Sequence, residues 1–180
     1  MKQKINNFNF YLQKKLPIFD IISEAENIFI NSLKIKVDRP IFICGMPRSG
    51  TTYILNLLNN SNQVSSCTYG QLPFYKTPLI WNFFKKYYYF GNKSFPRLHG
   101  DGIEININSP DAFEELIWAQ QLNNYYDAGF CQFLEENFSN LKLEKKITSF
   151  IKKITYLNKK NRYLSKGNYY VFRLNFINKI

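Results

Sequence analysis

The run Pro40-Ile-Phe-Ile-Cys-Gly-Met-Pro-Arg-Ser-Gly-Thr-Thr52 constrains this chain more than any other stretch. β-Branched and aromatic residues from Ile41 to Cys44 end at Gly45 and Pro47, the pattern of a short strand buried on both faces. From Thr51 to Asn59 the pattern turns helical, with Ile54, Leu57 and Leu58 on one side, and it stops in the polar run 59–62. A strand that passes through a glycine-bearing turn into a helix gathers unbonded amides and the positive end of the helix dipole at one spot. The amides around Ser49, Gly50, Thr51 and Thr52 are therefore expected to point at an anion. Gly50 permits close backbone approach. Thr51 and Thr52 add hydroxyls, and Arg48 offers a forked, permanent charge suited to phosphate-like oxygens.

The remaining sequence frames that turn as part of a layered fold. Ile18, Ile21, Ile22, Ala25, Ile28, Phe29 and Leu33 recur at a helical period across residues 16–33. Residues 63–69 form a short second strand candidate. Ser109 and Pro110 combine an N-cap with a first-turn proline, so a helix is expected to start there, with Phe113, Leu116 and Ile117 following at helical spacing. A further helix is predicted over about 140–157, with Leu143, Ile147, Phe150, Ile151 and Ile154 inward and a lysine-rich face outward. Residues 162–166 read as a third strand. Helices interleaved with short strands predict an α/β fold with a P-loop-like parallel sheet flanked by helices. At 180 residues, one domain spanning 1–180 is expected.

Apolar residues at 45% and aromatics at 18% exclude a disordered polymer. Lys and Arg total 24 against 13 Asp and Glu, a net +11 that favours anionic partners. Cys44, Cys67 and Cys131 are scattered and odd in number, which suits a reducing cytosol rather than a disulfide framework. With one histidine and no ligand spacing, no metal site is expected. The N-terminus is charged but lacks the apolar core of a signal peptide, and no apolar run approaches the ~20 residues of a membrane span. A cytoplasmic protein is the expectation. The basic, aromatic stretch from Trp81 to Gly100 has the composition of a base-stacking groove or a membrane-surface segment. Core aromatics and solvated lysines account for it as well, and no specific nucleic-acid partner is expected.

Gly45-x-x-x-x-Gly50-Thr51-Thr52 has the spacing of a nucleotide-binding P-loop, with Thr51 where that motif carries lysine. The segment from Pro40 to Leu58 instead resembles the 5'-phosphosulfate-binding loop of sulfotransferases that use 3'-phosphoadenosine 5'-phosphosulfate (PAPS). It is similar to the "GxPRSGTT" group, which includes tyrosylprotein sulfotransferases and bacterial sulfotransferase-like proteins. Leu98–Trp118 and Arg162–Leu174 are also similar to the bacterial members. The resemblance implies a PAPS-dependent enzyme in which Pro47, Arg48, Ser49, Gly50, Thr51 and Thr52 bind the donor. Arg48 would neutralise charge as the sulfuryl group departs. Lys166, at a strand end, would stand against the transferring group, although a solvated strand-end lysine is the alternative. No metal is implied. Positioned cations suit an in-line displacement whose charge builds on equatorial and leaving oxygens.

An acceptor hydroxyl also needs a base. Relatives often place a carboxylate near the position of Gln71, and an amide cannot serve. The substitutes are His99, whose imidazole has a suitable range, with Asp101 and Glu104. Asp101-Gly102 also reads as a turn. Enzymes of this group continue into a further strand and helix that grip the 3'-phosphate, so the resemblance implies a chain lacking its C-terminal portion and inactive as it stands. The acceptor is of open class: carbohydrate, lipid, peptide or small alcohol. The competing readings are a degenerate P-loop NTPase or kinase and a basic, non-enzymatic anion-binding protein.

Overall fold

In a computed structural model, the described residues are 13, 15–88, 94–97, 102–122, 125 and 133–180. In chain order the elements are α1 (Ile18–Ser32), β1 (Ile41–Cys44), α2 (Thr51–Asn59), β2 (Val64–Ser65), a 3-10 turn (Leu72–Phe74), α3 (Pro78–Tyr88), β3 (Phe95–Pro96), β4 (Glu104–Ile105), α4 (Glu115–Gln121), α5 (Leu141–Leu157), β5 (Arg162–Gly167), a second 3-10 stretch (Asn168–Phe172) and α6 (Leu174–Ile177). They fall into two compact units, one of Lys36–Ser66 with Asp111–Ile180, the other of Met1–Ile35 with Cys67–Pro110.

The first unit is built on a three-stranded parallel sheet in the order β1-β5-β2. The expected α/β class with helix-flanked parallel strands is therefore present. Its centre is β5, where Tyr163, Leu164, Ser165, Lys166 and Gly167 are all buried. Helix α5 delivers the chain to that strand. The Asn140 side chain accepts from the Leu143 amide at 3.0 Å, the N-cap bond that fixes the helix start. All five residues expected to face inward are buried, and so is Lys153, which composition alone assigned to the solvated face. Asn158, just past the helix, donates to Ser65 Oγ at 2.8 Å and ties α5 to β2.

Three expectations change. Strand β1 is half-buried along its length rather than buried on both faces, because β5 pairs with one of its edges. Helix α2 buries Thr51 and Leu55, while Ile54, Leu57 and Leu58 stay exposed. Leu55 packs with Val64 and Leu164, and Ile41 and Ile43 close on that cluster. No helix starts at Ser109-Pro110. Pro110 is bridged to Thr68 and the Ser109 hydroxyl accepts from the Asn106 amide, so pairing within that segment overrides the local cap signal, and α4 begins at Glu115.

In the second unit α1 forms where its period predicts. Its Glu26 is buried, and the carboxylate accepts the Ile80 amide at 2.8 Å in the first turn of α3, an anion on a helix N-terminus. Trp81 of α3 donates its indole N–H to Gly70 O at 2.8 Å and lies against Phe74, ring centroids 4.7 Å apart. Strands β3 and β4 form an antiparallel pair. No helix among the described residues is long and apolar enough to cross a membrane.

Candidate functional site

The turn between β1 and α2 is shaped by three local features. An added Cβ at Gly45 would lie 2.8 Å from both Ser49 Oγ and Thr51 Cγ2, so the turn closes over this residue only because it is glycine. Arg48 and Gly50 both take positive φ, 69° and 81°. The first is a strained conformation for a residue with a side chain, held by its surroundings, and such outliers concentrate where function needs a fixed backbone. Around Gly50 an added Cβ would meet nothing within 4 Å, so the crest of the turn is open. The first helical bond runs from the Ile54 amide to Gly50 O at 3.1 Å. The amides at the N-terminal end of α2 thus face outward from the helix with its dipole behind them.

The donor-loop candidates divide by what they do here. Pro47 and Arg48 are exposed at the crest, which leaves the guanidinium open to a ligand. Ser49 is folded back, with both its amide and its hydroxyl donating to Met46 O, at 3.2 and 2.6 Å. Thr51 is turned inward against Gly45, and Thr52 is half-buried. The Ser49 amide and hydroxyl are thus engaged within the loop, while Thr51 sets its methyl against Gly45.

Lys166 reaches the same sheet edge by a different route. Strands β1 and β5 run parallel in the register Ile41↔Leu164, Phe42↔Ser165, Ile43↔Lys166 and Cys44↔Gly167. Both strands therefore end together at the carboxyl edge, where open parallel sheets place ligand sites. Side chains alternate along a strand. Leu164 packs with Ile41, Ile43 and Leu55, so Lys166, two residues on, stands on the same face as α2. Its ammonium lies 3.2 Å from Asp111 Oδ1, and both side chains are largely buried, 11% and 14% exposed. The Asp111 carboxylate also accepts the Ala112 amide at 2.9 Å.

The opposite face of β5 carries different chemistry. Tyr163 donates to Glu114 Oε2 at 3.1 Å, and Tyr170 donates to Glu114 Oε1. Ser165 Oγ lies 3.3 Å from the Tyr170 hydroxyl, and Phe42 packs edge-on to Tyr170 at 5.4 Å. Burial pushes the Glu114 carboxyl above the usual carboxylate range, against the opposing pull of bonds from Ser165, Tyr170 and Tyr163. Burial with the neighbouring Glu114 likewise raises the Tyr170 phenol well above its ordinary value. Further along, the buried Arg173 guanidinium sits 4.3 Å over the Trp118 ring and donates to the Tyr125 hydroxyl at 2.7 Å. Neither Asp111 nor Glu114 is marked as special by the sequence; each acquires its role from a partner some fifty residues on.

His99 and Asp101, two of the base candidates, lie outside the described residues. Glu104 is exposed on β4, and Gly102 takes φ 74°, consistent with a turn at that point. Gln71, which occupies the position where an acid was looked for, is buried as a turn fastener. Its Oε1 accepts the Thr68 amide at 2.9 Å, and its own amide returns to Thr68 O at 2.9 Å.

No curated protein and no solved structure shows a significant match to this chain. One family model does, and it spans residues 40–177, taking in the turn, Asp111, Glu114 and all of β5. That match covers well over half of the sequence, and the chain belongs to the sulfotransferase family.

Proposed function

We propose that this protein transfers a sulfuryl group from PAPS to an acceptor hydroxyl or amine, with the turn between β1 and α2 holding the phosphosulfate end of the donor. Family membership makes sulfuryl transfer the reaction class. The observation that carries the donor assignment is the open crest at Gly50 beside an exposed Arg48, on the N-terminus of α2. An anion there meets amides, a helix dipole and a forked cation at once. A magnesium-nucleotide hydrolase is less well served, because Thr51 is turned inward at the position its lysine would occupy.

When bound, the donor supplies a sulfuryl group on a phosphate leaving group. Arg48 neutralises the charge that builds as the sulfur–oxygen bond to that phosphate breaks. The Gly50, Thr51 and Thr52 amides orient the phosphate. Lys166, on the same sheet face and edge, compensates the equatorial oxygens while the acceptor atom forms its bond to sulfur. The acceptor's proton passes to a base, for which His99 is the proposed residue.

The test is calorimetric titration of wild type and Arg48→Ala with 3'-phosphoadenosine 5'-phosphate. Loss of one charge-assisted contact is expected to cost about 1.5–3 kcal/mol. Equal affinity in the two proteins would remove the loop from the donor site.

A further inference from the structure

We infer that Asp111 is a positioning residue, the resident counter-ion that holds the Lys166 ammonium at the carboxyl edge of the sheet and keeps it neutralised until a donor anion arrives. The inference rests on the donor reading above and adds a residue to it.

Lys166 closes a sheet face whose centre is apolar, with Ile41, Ile43, Leu55, Val64 and Leu164 behind it and Arg162 at the far end of the strand. A lysine on a flexible four-carbon stem at such a position would swing to solvent to keep its hydration. It does not: the ammonium is drawn down to Asp111 Oδ1 at 3.2 Å, with the side chain only 11% exposed. Holding two charges this far out of water is poor value as stability, since well-packed apolar residues usually serve as well or better. The pair instead fixes where the charge is. Asp111 is itself held, because its carboxylate accepts the Ala112 amide at 2.9 Å. The lysine is thereby aimed by a group attached to the segment that enters α4, and not by the turn that carries Arg48.

Charge arithmetic gives this arrangement a signature. A carboxylate beside Lys166 lowers the field that an incoming anion feels, so it weakens ground-state binding. In exchange the ammonium is already oriented when the transition-state charge appears. A residue that merely stabilised the fold would weaken binding and turnover together when removed.

The test is a double-mutant cycle on the full chain, read by calorimetry with 3'-phosphoadenosine 5'-phosphate and by sulfuryl transfer from labelled PAPS. Asp111→Asn keeps the size of the side chain and an oxygen for the Ala112 amide. It is expected to bind the nucleotide roughly threefold or more tightly, because the Lys166 ammonium is released from its counter-ion to the anion, and to transfer at least about tenfold more slowly. Asp111→Glu restores the carboxylate and should return the affinity towards wild type. In a Lys166→Met background, Asp111→Asn should bring no tightening, since its effect acts through the lysine. An Asp111→Asn protein that binds like wild type, or one whose gain persists without Lys166, overturns the inference while the donor reading stands. Failure of wild type itself to bind the nucleotide removes the donor reading, and this inference with it.

Discussion

The two faces of β5 use carboxylates in opposite ways. Asp111 meets an ammonium on the face shared with α2, and the pair is charged. Glu114, three residues on, meets two tyrosine hydroxyls on the other face, in a network that burial drives towards neutrality. The strand between them is the same six residues, with Lys166 on one side and Tyr163 and Ser165 on the other. Period-two alternation thus lets one strand present a candidate site on one face and a hydrogen-bonded tyrosine–carboxyl network on the other. Substitutions on the first face should change chemistry with little effect on folding, and those on the second should do the reverse.

The strongest way to break that division is Lys166→Gln, which removes the ammonium and keeps a polar side chain one atom shorter. Transfer from labelled PAPS is expected to fall by roughly 10³-fold, about 4 kcal/mol of transition-state stabilisation, with the melting temperature lowered only by the cost of leaving the Asp111 carboxylate without its counter-ion. A collapse of the melting temperature would put Lys166 on the structural side. Next, Glu114→Ala leaves the Tyr163 and Tyr170 hydroxyls without their acceptor. At about 1–3 kcal/mol for the lost buried bonds, with Ser165 Oγ 3.3 Å away as a remaining partner for Tyr170, thermal unfolding should register a loss of roughly 3 kcal/mol, while nucleotide affinity of the folded fraction is retained. A smaller probe of the same network is Tyr163→Phe, expected to cost about 1 kcal/mol.

The smallest effect is in pH. A carboxyl whose folded value is raised binds its proton more tightly in the native state than in the unfolded chain. The stability it contributes is therefore full below the ordinary carboxylate range and is lost as pH rises towards the folded value. Between about pH 5 and pH 7 the melting temperature of wild type should decline more than that of Glu114→Gln, which has no proton to lose. Parallel curves for the two proteins would show that Glu114 is ionised in the fold.

Much of the frame was legible because it rests on local signals. Helix α5 has a strong cap at Asn140 and one clear apolar stripe, and every residue of that stripe is buried. In α2 the apolar residues Tyr53, Ile54, Leu55, Leu57 and Leu58 are consecutive but for Asn56 and fall on more than one side, so periodicity did not separate Leu55 from the stripe of Ile54, Leu57 and Leu58. The closure of the turn on Thr51 decided instead, carrying Leu55 inward one turn later. The Arg48 turn could be read from its glycines and its place between strand and helix. The Asp111–Lys166 and Glu114–Tyr170 contacts could not, because each joins residues about fifty-five apart that only tertiary packing brings together. Lys153 was misplaced for a related reason: lysine on a helix predicts solvent until a neighbouring layer covers it.

The order β1-β5-β2 also has a consequence for how the protein comes into being. Neither early strand pairs with the other; each waits for a partner that is synthesised only at residues 162–167. During translation β1, the turn after it and β2 must therefore emerge without a sheet to join, and α5 leaves the ribosome before the strand it precedes. Assembly then closes two long loops almost at once, an entropic demand that slows folding in proportion to the sequence separation of the contacts. Nascent chains arrested before residue 162 should be open to protease throughout β1 and β2, and protection of both should arrive in a single step once β5 is clear of the exit tunnel.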